Sequence, residues 1–297
     1  MIVDVGGPIS YTDHGGPPDA PILVLVHGIG ACQSNWDEVA PRLTGHARVY
    51  ALDLPGFGRS PSAGRRTTVA ANADVLGRVI GLLLAEHNER DLVLVGTSMG
   101  AIISILLAAA QPHLVRGLVL IAPPWPPARH VRINRDVARS AILGGMPGLG
   151  ELLVARRLAR IPAELRVEHA FTRASHNPTN INDILRQGAI ANENLVTDGG
   201  LRRVHDYLSA ARSIVRTMAR GKAYWARVER LQKPTLLLHG VHDRLVPVAQ
   251  ARMAVHRLRL GTYRELDAGH VAHMEVPHEV AATIVSWLAT VGGNARH

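Results

Sequence analysis

Through the first 121 residues, short apolar runs alternate with longer segments of helical period. Pro21–Val26 (PILVLV), Arg48–Leu54 (RVYALDL), Asp91–Val95 (DLVLV) and Gly117–Ile121 (GLVLI) have the length and apolarity of parallel strands buried on both faces. Between them, Thr68–His87 sets Val69, Ala73, Leu76, Val79, Ile80 and Leu83 on one helical face. Ser98–Ala110 reads as a strongly apolar helix stopped by Pro112. Such alternation predicts βαβ units with both sheet faces covered. The pattern breaks at Ala122–Pro127 (APPWPP), and no strand signal follows until residue 235. Val131–Leu143, Glu151–Ile161 and Leu201–Arg220 read as helices, interrupted at Gly144–Gly148 and Asn177-Pro178. Strands resume at Thr235–Leu238 and Tyr263–Leu266, with helices over Val248–Leu258 and His278–Leu288. The expectation is one α/β core, residues 1–123 and 233–297, interrupted by a helical insertion at 124–232.

Composition narrows this picture. With 47% hydrophobic and 19% charged residues, the 297-residue chain has the makeup of a folded globular protein. Its longest central apolar stretch, Ala101–Ala110, is half a membrane span. Met1-Ile2-Val3-Asp4 does not begin a secretory signal, so a cytoplasmic location is expected. The single cysteine, Cys32, forms no internal disulfide and anchors no Cys/His zinc spacing; neither metal nor cofactor is expected. Residues 124–232 hold 18 Lys and Arg against 9 Asp and Glu, while the remainder balances at 15 of each, so the whole net charge of +9 sits in the insertion. The arginines are scattered, without aromatic interleaving or a recognition motif, which argues against a nucleic-acid partner. They are expected to solvate outer helix faces and to pair with Glu151, Glu164 and Glu168.

Candidate chemistry begins at Gly96-Thr97-Ser98-Met99-Gly100, a G-x-S-x-G placed between a strand and a helix. The chain must turn sharply there, and the flanking glycines let neighbouring elements approach closely. Ser98 then stands at a helix N-terminus, where a developing anion is favoured. A serine nucleophile needs a base, and the base needs an orienting acid. Asp243 follows the strand TLLLHG, and His270 follows the last strand; carboxyl ends of parallel strands open on one side of a sheet, so Ser98, Asp243 and His270 can converge. Asp267 is the rival acid. His27 is expected to brace its loop, His239 and His242 to be satisfied by the loop beside Asp243, and His273 and His278 to shape the following turn and helix cap. An oxyanion hole is expected from the backbone N–H groups of Ile29, in His27-Gly28-Ile29-Gly30, and of Met99.

Five ordered blocks now stand out: HGIG at 27–30, DLPGFGRS at 53–60, GTSMG at 96–100, GVHDRLVP at 240–247 and DAGHVAHMEVP at 267–277. Together they resemble the α/β-hydrolase family. The resemblance implies a mostly parallel central sheet flanked by helices, a Ser98–Asp243–His270 triad and an all-helical cap falling at 124–232. It further implies a serine hydrolase cleaving a small-molecule carboxylic ester through an acyl-serine intermediate. A serine at position 98 sets the chain apart from epoxide hydrolases and haloalkane dehalogenases, which use aspartate there. Carbon–carbon bond hydrolases of ring-cleavage products look similar around Ser98-Met99-Gly100 and Asn35-Trp36. They carry a longer glycine loop and a tryptophan after the histidine, where this chain has Ala31-Cys32 and Val271. Cofactor-free perhydrolases, lyases and slow-turnover ligand receptors on the same fold are the remaining alternatives. Trp125, Phe171, Tyr207, Tyr224 and Trp225 are expected to be core residues.

Overall fold

A computed structural model of the protein describes residues 1–87, 91–126 and 148–293. Eight strands form one sheet: β1 (Ile2–Asp4), β2 (Pro8–Gly15), β3 (Ile22–Val26), β4 (Arg48–Leu52), β5 (Leu92–Thr97), β6 (Gly117–Ile121), β7 (Thr235–Gly240) and β8 (Gly261–Leu266). Their spatial order is β1-β2-β4-β3-β5-β6-β7-β8. Pairs β1–β2 and β2–β4 are antiparallel, and every pair from β4 to β8 is parallel.

Every residue of β3, β5, β6 and β7 is buried, because helices cover both faces. The two-residue period of a strand divides their side chains between two cores. Ile22, Val24 and Val26 join one core with α2 (Val69–Glu86) and α3 (Met99–Ala110). Leu23 and Leu25 join the other, where Ala40 and Leu43 of α1 (Ala40–Leu43) meet helix-bound Val280, Ile284 and Trp287 near the C-terminus.

The N-terminal strands β1 and β2 carry no apolar run and stand as an antiparallel edge that the sequence pattern does not predict. Between β6 and β7, the described residues are helical: α4 (Leu149–Arg160), α5 (Ala163–Ala174), α6 (Asp183–Asp198), α7 (Gly200–Ala219) and α8 (Gly221–Glu229). Of these, α5, α6 and α8 go beyond the sequence expectation, whereas the expected helix at Val131–Leu143 lies outside the described residues. Three helices follow strands of the core: α9 (Val248–Val255), α10 (Ala272–Glu275) and α11 (Pro277–Gly293).

The insertion is seated on the core by polar and apolar contacts. Thr67 Oγ1 donates to the Asp206 carbonyl at 2.8 Å, and Ser213 Oγ accepts the Val69 N–H at 2.9 Å, which helps cap the start of α2. The Trp125 N–H donates to Gln250 Oε1 of the core at 3.2 Å, and within the insertion Trp125 stacks on Trp225 with ring centres 5.3 Å apart and planes nearly parallel. Trp125 and Tyr224 are fully buried, as expected of core residues.

Candidate active site

Ser98 sits between β5 and α3 with φ 52° and ψ −113°, a backbone conformation that costs a non-glycine residue about 1–3 kcal/mol. Close packing holds it there. A Cβ on Gly96 would lie 2.6 Å from the backbone of Gly100, and a Cβ on Gly100 would lie 2.3 Å from the Val26 carbonyl oxygen. Only glycine at both positions lets α3 start this close to β3 and β5. The turn leaves Ser98 partly exposed, with its Oγ making no hydrogen bond among the described residues.

Asp243 and His270 come together beyond the carboxyl ends of β7 and β8. His270 Nδ1 lies 2.7 Å from the acceptor Asp243 Oδ2, so it donates, and Nε2 is left free of that bond. Asp243 Oδ1 accepts the N–H groups of Leu245 and Val246 at 2.8 Å each, and His239 Nε2 approaches Oδ2 at 3.2 Å. Burial alone would raise the Asp243 carboxyl; the imidazoles of His270 and His239 outweigh it and hold the group well below the usual carboxylate range. Asp267 is exposed and pairs instead with His242, at 3.0 Å. His27 ties its loop to the next: Nε2 accepts the Leu54 N–H at 3.0 Å, leaving Nδ1 to donate to the Gly28 carbonyl at 2.7 Å.

Ser98 and His270 face one cavity of about 320 Å³, together with Ile29. A Cβ on Gly28 would be 3.4 Å from that of Ser98, so the 27–30 loop lies directly beside the serine. The N–H groups of Ile29 and Met99 make no hydrogen bond among the described residues; Met99 opens α3, where the first amides lack intrahelical partners. Among the described residues no hydrogen bond joins Ser98 Oγ to His270.

The roof of the cavity comes from the insertion and was not legible in the sequence. Phe171 and Tyr207 both line it; Phe171 is also buried in a small apolar cluster with Val167 and Leu185, as expected of a core residue, whereas Tyr207 is exposed. Asn192 donates from α6 to the Gly30 carbonyl at 3.0 Å, steadying the loop from above. Glu275, buried at the end of α10, accepts the Gly269 N–H at 2.8 Å through one oxygen. Its other oxygen accepts the His176 and Asn177 N–H groups at 2.8 and 2.9 Å. The His270 N–H itself donates to the Ala174 carbonyl at 2.6 Å. The histidine loop and the insertion are therefore stitched together at residues 174–177. His273, also on the cavity wall, packs against Trp36 with ring centres 4.6 Å apart.

A family model described as alpha/beta hydrolase fold matches residues 21–277. The chain is 28% identical over 285 residues to pyrrolizixenacetamide deacetylase of Xenorhabdus hominickii, covering 94% of each. It is 28% identical over 280 residues to a pimeloyl-[acyl-carrier protein] methyl ester esterase of Aromatoleum aromaticum, covering 89% of this chain and 96% of that protein. Among solved structures, a thermophilic esterase from Thermogutta terrifontis superposes with a TM-score of 0.73 at 22% identity, over 98% of this chain and 99% of the other.

Proposed function

The chain belongs to the alpha/beta hydrolase fold family, and from that premise we propose that it cleaves a small-molecule carboxylic ester by two-step acyl transfer through Ser98. The observation that carries this reading is the 2.7 Å His270–Asp243 hydrogen bond beside a cavity that Ser98 and His270 both line. Ser98 Oγ attacks the ester carbonyl while His270 Nε2 takes its proton. Asp243 fixes the imidazole tautomer and stabilises the imidazolium that forms. The unpartnered N–H groups of Ile29 and Met99 receive the oxyanion. His270 then protonates the departing alcohol, and water repeats the sequence on the acyl-serine. Contact between Ser98 and His270 is made as substrate fills the site, since such hydrogen bonds commonly tighten only in the reacting complex.

Residues 124–232 act as a cap that chooses the substrate, with Phe171 and Tyr207 over the reacting carbonyl. The esterase and deacetylase names among its relatives support an acyl-transfer reading.

Steady-state hydrolysis of a short-chain p-nitrophenyl ester tests it. Ser98→Ala is expected to lower kcat by about 10⁴-fold, and Asp243→Asn by a similar or smaller factor. Near-normal turnover by folded Ser98→Ala protein would refute the assignment. Labelling of Ser98 by a fluorophosphonate without measurable turnover would point to a ligand receptor instead.

A further inference from the structure

Outside the cavity, three side chains from distant parts of the chain converge on the rim of the stitched seam. His176 follows α5, His242 follows β7, and Asp267 follows β8. One ligand atom from each lies within 4.8 Å of the other two, and all three residues are exposed. The two imidazoles stack with centres 3.6 Å apart and planes 16° from parallel, and His242 Nε2 is 3.0 Å from Asp267 Oδ1. The geometry points to a binding site for a borderline divalent transition metal of the Zn²⁺ type, held by His176, His242 and Asp267, that fastens the insertion to the core.

The donor chemistry selects the ion. Two imidazoles and a carboxylate suit Zn²⁺, Co²⁺, Ni²⁺ or Cu²⁺, whereas Mg²⁺ and Ca²⁺ prefer all-oxygen sets. Ligand bonds of about 2.0–2.2 Å in a tetrahedron place donor atoms roughly 3.3 Å apart. The His242–Asp267 pair already has that spacing. The stacked rings hold their in-plane lone pairs parallel, so one imidazole must swing out of the stack before both nitrogens face the ion, a rotation open to exposed side chains.

The backbone beneath the three side chains is fixed. The His176 N–H is held by Glu275 at 2.8 Å, and the His242 N–H donates to the Ala268 carbonyl, next to Asp267, at 3.0 Å. Three protein ligands leave a coordination position for water. Binding at His242 Nε2 moves the proton that this nitrogen shares with Asp267 to the other ring nitrogen, Nδ1, so that Nε2 and Asp267 Oδ1 both face the ion. The bound ion links residue 176 of the insertion to two core loops, one residue from Asp243 and three from His270. Opening of the insertion must then break a metal–ligand bond.

Calorimetric titration of the whole protein with ZnCl₂ in a non-chelating buffer near pH 7.5 tests the site, with Tm recorded in parallel. Wild type is expected to take up one strong equivalent and to gain Tm. His176→Ala and Asp267→Asn should each weaken that step by tenfold or more and abolish the gain. His256→Ala, an exposed histidine elsewhere, should change neither. MgCl₂ and CaCl₂ should give no comparable step. Amide exchange at residues 174–177 should slow with Zn²⁺ in wild type only. Absence of a strong step in wild type, or equal uptake by the two site variants, overturns the proposal. These readouts need no ester turnover, so the result is independent of the proposed reaction.

Discussion

Neutral histidine is the less obvious residue of this pocket. His273 is fully enclosed, its Nδ1 has no partner, and burial, followed by the nearby His270, depresses its imidazole to a pKa of about 3. An unfolded histidine titrates near 6.5. Between those values the unfolded chain binds a proton that the folded chain refuses. The associated stability is therefore fully present above about pH 6.5 and declines as pH falls towards 3, by up to about 1.4 kcal/mol per pH unit. Urea unfolding of wild type and His273→Phe at pH 7, 6, 5 and 4 reads this directly. The variant should lose stability less steeply with acid, whatever its stability at pH 7. Parallel slopes would mean that His273 accepts its proton while folded. The meeting of Asp243 and His270 near Ser98 was legible because each of the three lies within four residues of the carboxyl end of a strand. Glu275 was not, because its partners at 176 and 177 lie across a chain crossing that no local pattern encodes.

Among the elements, the start of α3 is the most tightly determined. Gly100→Ala would drive a methyl group into the carbonyls of Val26 and His27, both backbone atoms that cannot rotate away. A cost of about 3 kcal/mol or more is expected, with a fall in ester turnover in whatever fraction folds, since the 27–30 loop must move. Gly81→Ala, in exposed α2 surface with nothing near its Cβ, should be neutral or gain up to about 1 kcal/mol. Equal denaturation midpoints for the two variants would contradict this packing account. The same enclosure made β3, β5, β6 and β7 readable: a strand covered on both faces must be apolar throughout. The β1–β2 edge lacks that requirement, and Pro8–Gly15 is mostly half-exposed with polar residues such as Thr12, Asp13 and His14. Helices α5 and α6 each bury only a few residues, Ala163, Val167 and Phe171 in one, Leu185 and Asn192 in the other, so they lack the long apolar stripe that marks α2.

Across the whole molecule, the charge excess of the insertion is partly answered by its own acids. Glu151 pairs with Arg212 at 2.7 Å, Glu193 with Arg166 at 2.7 Å, and Glu168 with Arg186. Glu164, expected to pair, makes no ion pair among the described residues. Arg156, Arg157 and Arg160 are exposed on α4, where water screens them. For a neutral ester, kcat/KM should therefore change less than about threefold between low salt and 0.5 M salt, where screening acts within about 4 Å. A tenfold fall confined to an anionic ester would instead mark the insertion as an electrostatic selector. The seam at residues 174–177 also bears on how this enzyme scaffold can be re-engineered. Exchanging the entire insertion for a foreign one would remove the carbonyl that receives the His270 N–H and the two amides that hold Glu275. A transplanted lid would have to reproduce the backbone path of four residues, a demand on shape that sequence matching does not meet. Changes at cavity-lining positions such as Ala189 and Tyr207 leave that junction whole, so piecemeal remodelling is the safer route to a new substrate range than wholesale grafting.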